Sequence, residues 1–142
     1  MGEEDLASKL VDLQLDASSE LGKLASAFLL RGEDSVLYRL DRRGGLANAS
    51  QLADDAQLTS GRIANILRSL ESKNYIERSQ DSSDHRRVAV SITPAGRRHV
   101  AGMRERLLGY SNRLLEVLGP QDFAELCHAT ERVCELASRV EM

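Results

Sequence analysis

The sequence predicts a mainly α-helical protein with one small β-hairpin, and three observations support this fold class. Apolar residues recur mostly at steps of three and four, only two prolines occur in 142 residues, and one later stretch alternates apolar with polar positions. Hydrophobic residues make up 42% of the chain, aromatic residues only 4%, and tryptophan is absent. The chain is therefore long enough for one structural domain with an aliphatic core.

A long N-terminal helix is predicted over residues 5–30, with a second helix from Glu33 to about Arg42. Gly44-Gly45 ends the second helix. The first helix has too little of its own chain nearby to cover its apolar stripe, so it needs a partner. That stripe consists of Leu6, Leu10, Leu13, Ala17, Leu21, Leu24 and Phe28.

Two further helices are predicted between residues 48 and 74, joined by the turn at residues 56–58. Asn48 is a good N-cap for the first, with Gln51 placed to complete a capping box. Thr59 caps the second, which runs from Ser60 to about Lys73 and ends at Asn74, a residue that tolerates the left-handed conformation. Its predicted buried face is Ile63, Ile66, Leu67 and Leu70.

A hairpin follows, with strands predicted over residues 75–78 and 88–92. Val88, Val90 and Ile92 alternate toward the interior, and the linking segment, residues 79–87, is too long and polar for a tight turn. Two helices followed by a hairpin with a protruding loop form the pattern of a winged helix-turn-helix.

Thr93-Pro94 opens a further helix, because Thr is a good N-cap and Pro suits the first helical position. Gly119-Pro120 ends it, and a last helix begins at about Gln121. Both carry apolar residues at heptad-like spacing, so both chain ends need partners. We expect a homodimer in which N-terminal residues 1–32 and C-terminal residues 98–142 form the interface. Residues 33–97 would then form the DNA-binding region.

The second helix of the helix-turn-helix offers side chains that suit the major groove. Arg can make two hydrogen bonds to guanine and Asn two to adenine, whereas free N–H groups in a first helical turn suit a phosphate. Arg68 lies further back and is predicted to touch a phosphate. The predicted contacts are Thr59, Ser60, Gly61, Arg62, Asn65 and Arg68.

The loop between the strands is predicted to make a second contact. Asp84 can hold Arg86 or Arg87 extended, and a guanidinium at a loop tip suits the narrow minor groove of A·T-rich DNA. His85 is predicted to be either solvated or in contact with a phosphate.

Residues 33–97 also resemble the winged helix-turn-helix of the MarR (multiple antibiotic resistance regulator) family. The resemblance is carried by Gln51-Leu52-Ala53, by the segment from Leu70 to Arg78, and by the wing pattern that joins Asp84, Arg86, Val90, Ile92, Thr93 and Gly96. It implies a cytoplasmic, homodimeric transcription regulator of palindromic double-stranded DNA. In this family, ligands often bind between the dimer and DNA-binding parts.

Two residues depart from that pattern in the helix-turn-helix turn. Gln57 stands where the family commonly has Gly, and Ala56 where it has a larger apolar residue. If Gln57 must adopt a positive φ, this costs about 1 kcal/mol.

Charge leaves one alternative open. The net charge is −3, and it divides into −5 for residues 1–58, +2 for residues 59–87 and zero for residues 88–142. The only basic segment thus carries the helix and wing, as a local DNA-binding patch requires. The net negative charge of residues 1–58 supports a second hypothesis, that the protein is a winged-helix protein-interaction module without specific DNA binding.

An enzyme is not expected. The adjacent carboxylates Asp54 and Asp55 point about 100° apart on a helix, and the histidines show no zinc spacing. Cys127 and Cys134 are expected to pack as small hydrophobes on the seam, with a redox role as the alternative. No membrane span, signal sequence, metal or cofactor is predicted.

Overall fold

The computed structural model describes residues 2–28, 30, 32–80 and 88–140. Helices dominate these ranges and a small antiparallel sheet accompanies them, so the predicted fold class is confirmed. The chain divides into two compact units, Met1–Glu105 and Arg106–Met142. None of the described helices has an apolar stretch able to span a bilayer.

The first unit begins with two helices rather than the single helix predicted over residues 5–30. Helix α1 spans Glu3–Asp16 and α2 spans Ser18–Phe28. The break is at Ala17, whose φ and ψ of −98° and 14° depart from helical values. Asp16 and Ser18 flank it, and both residue types favour local hydrogen bonds over the helix interior. The leucines of the apolar stripe are exposed as expected, for example Leu10, which is 57% exposed.

Three helices form the centre of this unit: α3 (Gly32–Arg42), α4 (Ala49–Ala56) and α5 (Ser60–Ser72). The buried face predicted for α5 is confirmed in full. It packs with the apolar faces of α3 and α4 into one aliphatic core. The fully covered residues of that core include Val36, Leu37, Leu40 and Leu52.

The sheet has three strands rather than the two of the predicted hairpin. Strands β2 (Ile76–Gln80) and β3 (Val88–Ile92) pair antiparallel, and β1 (Leu46–Asn48) pairs with the other side of β3. A three-residue strand is too short to show an alternating pattern in the sequence, which is why β1 is missed. Val90 is fully buried as predicted, but Val88 at the wing end is 37% exposed.

The start of helix α6 (Pro94–Leu118) is fixed to the end of α5 by Thr93. The Thr93 hydroxyl donates to the Asn74 carbonyl at 2.6 Å and accepts from the Gly96 N–H at 3.0 Å, which makes it the predicted N-cap. Gly96 lies so close to the Tyr75 carbonyl that a Cβ there would clash with it. The Thr-x-x-Gly pattern therefore secures a close approach between α6 and the segment that follows α5.

The second unit contains the rest of α6 and helix α7 (Pro120–Leu136), joined at Gly119 as predicted. Cys127 and Cys134 are exposed in the single chain, so their expected packing on the seam depends on a second copy and stays a prediction. The apolar residues at the same helical spacing, Val133 among them, are exposed as well. Among the described residues, no cluster of His, Cys, Asp or Glu side chains is suited to a metal ion.

Candidate nucleic-acid interface

Two side-chain caps fix the helix-turn-helix formed by α4 and α5. The Asn48 side chain accepts from the Gln51 N–H at 2.8 Å, and the Gln51 side chain accepts from the Asn48 N–H at 3.0 Å. This is the predicted capping box. At the second helix, the Thr59 hydroxyl accepts from the Arg62 N–H at 3.2 Å, as predicted for an N-cap. The first turn of α5 is therefore held in place by its own sequence.

The turn between the two helices depends on Gln57. Its φ of 54° and ψ of 46° are left-handed, which is the conformation that makes Gly common at this position in the resembled family. Its N–H donates to the carbonyls of α4, and the Leu58 N–H donates to the Ala53 carbonyl at 2.9 Å. The turn thus has the left-handed C-cap geometry, with Gln in place of Gly.

The six residues predicted on the helix lie on the exposed side of α5. Thr59, Ser60, Gly61, Arg62, Asn65 and Arg68 are all exposed, whereas Ile63, Ile66, Leu67 and Leu70 are buried. Space around Gly61 is open, since a Cβ there would meet no atom within 4 Å. The helix thus presents a polar face with a gap near its N-terminus.

The side chains of Asn65 and Arg68 are joined by a hydrogen bond. The Arg68 Nη2 donates a hydrogen bond to the Asn65 Oδ1. The two residues are three apart on one helix, which is a spacing at which side chains meet. That spacing is the sequence signal from which the pair could have been predicted.

A groove of about 710 Å³ lies beside α5, between α4 and the strands. Ser60 and Ala64 of α5, Asn48 and Gln51 at the start of α4, and Arg78 of β2 contribute to its lining. Arg78 could not be assigned to it from sequence, since it reaches the groove only through the pairing of the strands.

Ion pairs hold the C-terminal end of α5 from two sides. The Arg78 guanidinium donates to both Glu71 oxygens, at 3.2 and 3.0 Å, and these bonds lower the pKa of Glu71. Lys73 Nζ lies 2.6 Å from the Glu33 carboxylate of α3. Hydrogen bonds from Lys73 and then Ser69 lower the pKa of Glu33.

A third ion pair joins α3 to α4. The Arg43 guanidinium donates to the Asp55 carboxylate at 2.5 and 3.0 Å, and this lowers the pKa of Asp55. Asp55 thus has a structural partner. The helix-turn-helix is fixed to its neighbours at both helices.

The wing tip lies outside the described residues. Its predicted contacts, Asp84, His85, Arg86 and Arg87, therefore remain predictions. The structure places the two ends of the loop, Gln80 in β2 and Val88 in β3, opposite each other in the register of the sheet.

Comparison with known proteins agrees with this architecture. A family model described as the MarR family matches residues 31–88. The YusO protein from Bacillus subtilis has a TM-score of 0.71 at 20% identity, over 95% of this chain and 99% of that chain. The transcriptional regulator BldR from Sulfolobus solfataricus has a TM-score of 0.69 at 22% identity, over 99% and 100%. The crystal structure of MarR gives 0.69 at 25% identity, over 98% and 92%. No significant match was found among curated proteins.

The fold and its exposed helix define a winged helix-turn-helix protein. More particularly, residues 31–88 match the model of the MarR family. The resemblance noted in the sequence is thereby confirmed. Members of the family are transcriptional regulators rather than enzymes.

Proposed function

We propose that this protein is a sequence-specific, double-stranded DNA-binding transcription regulator that acts as a homodimer in the cytoplasm. Helix α5 enters the major groove, and the wing places Arg86 in the adjacent minor groove. The observation that carries the proposal is the polar, exposed face of α5, supported at its N-terminus by the Thr59 cap and at its C-terminal end by ion pairs.

The major groove, about 12 Å wide, admits one α-helix, so contacts come from the exposed side of α5. Arg62 supplies donors for guanine, and Asn65 supplies a donor and an acceptor for adenine. Thr59, Ser60 and the free N–H groups of the first turn suit a phosphate beside the groove. The contacts proposed for the wing are Asp84, His85, Arg86 and Arg87.

Exposed apolar residues at both chain ends support the dimer. In α1, Leu6, Leu10 and Leu13 are 51–57% exposed, and in α7 Val133 is 67% exposed. Side chains of this kind are worth about 1.5–3 kcal/mol each when buried. A second copy of the chain that covers both stripes would also present two α5 helices to a palindromic operator.

The groove beside α5 supports a response to a small-molecule effector. It combines apolar residues such as Leu58 and Ile63 with the Arg78 guanidinium. A ligand there would contact both helices of the helix-turn-helix and could change the angle of α5. We propose that such an effector tunes DNA binding, either to release or to activate the regulator.

The decisive experiment is selection of bound sequences from a random duplex pool, followed by titration of the enriched site. We expect a palindrome with half-sites about one helical turn apart. Arg62→Ala should relax base preference, whereas Arg86→Ala should weaken binding and reduce preference for A·T-rich flanks. If Arg62→Ala and Arg86→Ala both bind DNA with the affinity and base preference of the parent protein, the assigned contacts are wrong.

A protein-interaction module is the alternative, favoured by the −5 net charge of residues 1–58. Salt separates the two functions. DNA binding through phosphates weakens steeply with salt, because bound counterions are released. A protein without measurable affinity for any duplex at low salt would support the interaction module instead.

A further inference from the structure

Four residues of α5, Gly61, Asn65, Arg68 and Ser72, form a line along the side of the helix that faces away from the core. Successive residues of a helix are rotated by about 100°. Relative to the buried face, Gly61, Asn65, Arg68 and Ser72 lie within about 30° of the directly opposite direction, whereas Arg62 lies about 90° from it. When such a helix enters the major groove, its buried face points away from the DNA, and the residues opposite that face lie closest to the base pairs. Asn65 and Arg68, rather than Arg62, therefore lie nearest to the floor of the groove.

We infer that Asn65 reads adenine in each half-site and that Arg68 is the positioning residue that fixes its side-chain amide. This inference rests on the proposed function, because it concerns how α5 reads DNA. It replaces the phosphate contact that the sequence predicted for Arg68. The carrying observation is the hydrogen bond from Arg68 Nη2 to Asn65 Oδ1.

The hydrogen bond selects one of the two amide orientations. With Oδ1 toward Arg68, the guanidinium faces an acceptor. With the amide turned over, it would face the Nδ2 group, and two sets of donors would oppose each other. Without this hydrogen bond, the Asn65 amide could adopt either of its two orientations and would discriminate less between bases. Arg68 therefore increases base specificity by fixing one orientation.

The Asn65 amide that Arg68 holds can still offer adenine one hydrogen-bond acceptor and one donor. A carbonyl oxygen has two lone pairs, so Oδ1 can accept from Arg68 and from the adenine N6 group together, while Nδ2 donates to N7. Guanine presents O6 at the position of the N6 group, and two acceptors would then face each other. The pinned orientation therefore favours adenine over guanine.

Gly61 leaves room for the base edge. It lies one turn before Asn65 on the same line of the helix, and a Cβ there would point into open space. No side chain on this line stands between Asn65 and the N-terminus of α5. The approach of backbone to DNA that this gap allows brings the amide of Asn65 within reach of a base.

The test uses the full-length protein and an operator obtained by selection from a random duplex pool. Affinities are measured for every single base-pair change of one half-site, for the parent protein and for Asn65→Ala, Arg68→Met and the double variant. Arg39→Met is the matched control, since it removes the same group from an exposed position of α3 that is outside the proposed DNA contacts. Thermal unfolding of each variant checks that the fold is kept.

We expect the parent protein to prefer adenine at one position by about 5- to 150-fold over other bases. Asn65→Ala and Arg68→Met should both reduce the preference at that position, and the double variant should reduce it no further than Asn65→Ala. Arg39→Met should leave both the affinity and the preference at that position intact.

A phosphate role for Arg68 would give a different result. Arg68→Met would then weaken binding equally across the panel, lower the salt dependence by about 0.9 in log–log slope, and add to the effect of Asn65→Ala. That outcome overturns the inference but leaves the proposed function intact. A selection that enriches no sequence would overturn the proposed function itself, and the inference with it.

Discussion

At the scale of single residues, the turn of the helix-turn-helix contains a left-handed residue that is not Gly. Gln57 has a φ of 54° and Asn74, at the end of α5, a φ of 61°. Asn reaches this conformation at less cost than Gln because its short side chain can form local hydrogen bonds. The two positions thus share one backbone conformation but differ in how well the residue suits it.

We therefore predict that Gln57→Gly stabilises the protein by about 0.5–1 kcal/mol, since it removes the left-handed cost but loosens the unfolded chain. Asn74→Gly is the matched control and should raise the free energy of unfolding by less. Urea unfolding at one protein concentration, with unchanged dependence on denaturant, measures both. A Gln57→Gly variant that gains no more than the control would show that the turn is not strained.

At the scale of helices and strands, the sequence correctly predicts the features that depend on residues close together in the chain. The caps by Asn48 and Thr59 and the buried face of α5 were predicted correctly, because each depends on residues within a few positions. The break at Ala17 was missed because no Gly or Pro marks it. The pair of Lys73 with Glu33, 40 residues apart, was missed because only the packing of α3 against α5 brings it together.

The gap on α5 gives the next prediction. Gly61→Ala should stabilise the fold by a few tenths to about 1 kcal/mol, because Ala is the better helix former and the site is open. The same change should weaken DNA binding by about fivefold or more, since a methyl group added to a close-packed interface costs about 1–3 kcal/mol. Unfolding and DNA titration of one preparation test both parts.

Gly22→Ala is the control for that change. Gly22 lies in α2, outside the proposed DNA contacts and off the apolar stripe, and a Cβ there would also point into open space. It should gain helix stability and keep the parent's affinity for DNA. Equal DNA binding by Gly61→Ala and Gly22→Ala would argue against close approach of α5 to the bases.

The link between α3 and α5 predicts a pH dependence. The pKa of Glu33 is lowered in the folded protein, chiefly by the hydrogen bond from Lys73, so the unfolded chain binds the proton more tightly. The stabilisation is complete above the ordinary glutamate pKa of about 4.3 and is lost as the pH falls through the lower, folded value.

Glu33→Gln should accordingly flatten the fall in unfolding free energy between about pH 5 and pH 3. Lys73→Met should flatten it as well, and the two changes together should do no more than either alone. Chemical unfolding at a series of pH values measures the slope. A slope that neither variant changes would show that the pair does not couple folding to protonation.

At the scale of the whole molecule, the chain leaves apolar residues uncovered where the sequence expects a partner. Leu10 in α1 is 57% exposed and Val133 in α7 is 67% exposed. The exposed cysteines of α7 lie on the same heptad seam. The heptad spacing indicates that a face is covered, but it does not say whether the cover comes from the same chain or from a second copy.

The proposed homodimer makes the last prediction. Leu10→Asp places a charge on the apolar stripe of α1, and twofold symmetry places it in the interface twice. Burying an unpaired carboxylate is costly, so the variant should be monomeric. Light scattering should then give the molecular mass of one chain instead of two, and the affinity for the palindrome should fall. Ser8→Asp, on the opposite and exposed side of α1, adds the same charge and should stay dimeric and bind as the parent does. If Leu10→Asp remains a dimer with parent-like affinity, this stripe does not form the interface, and the spacing of the two α5 helices must be set by other residues.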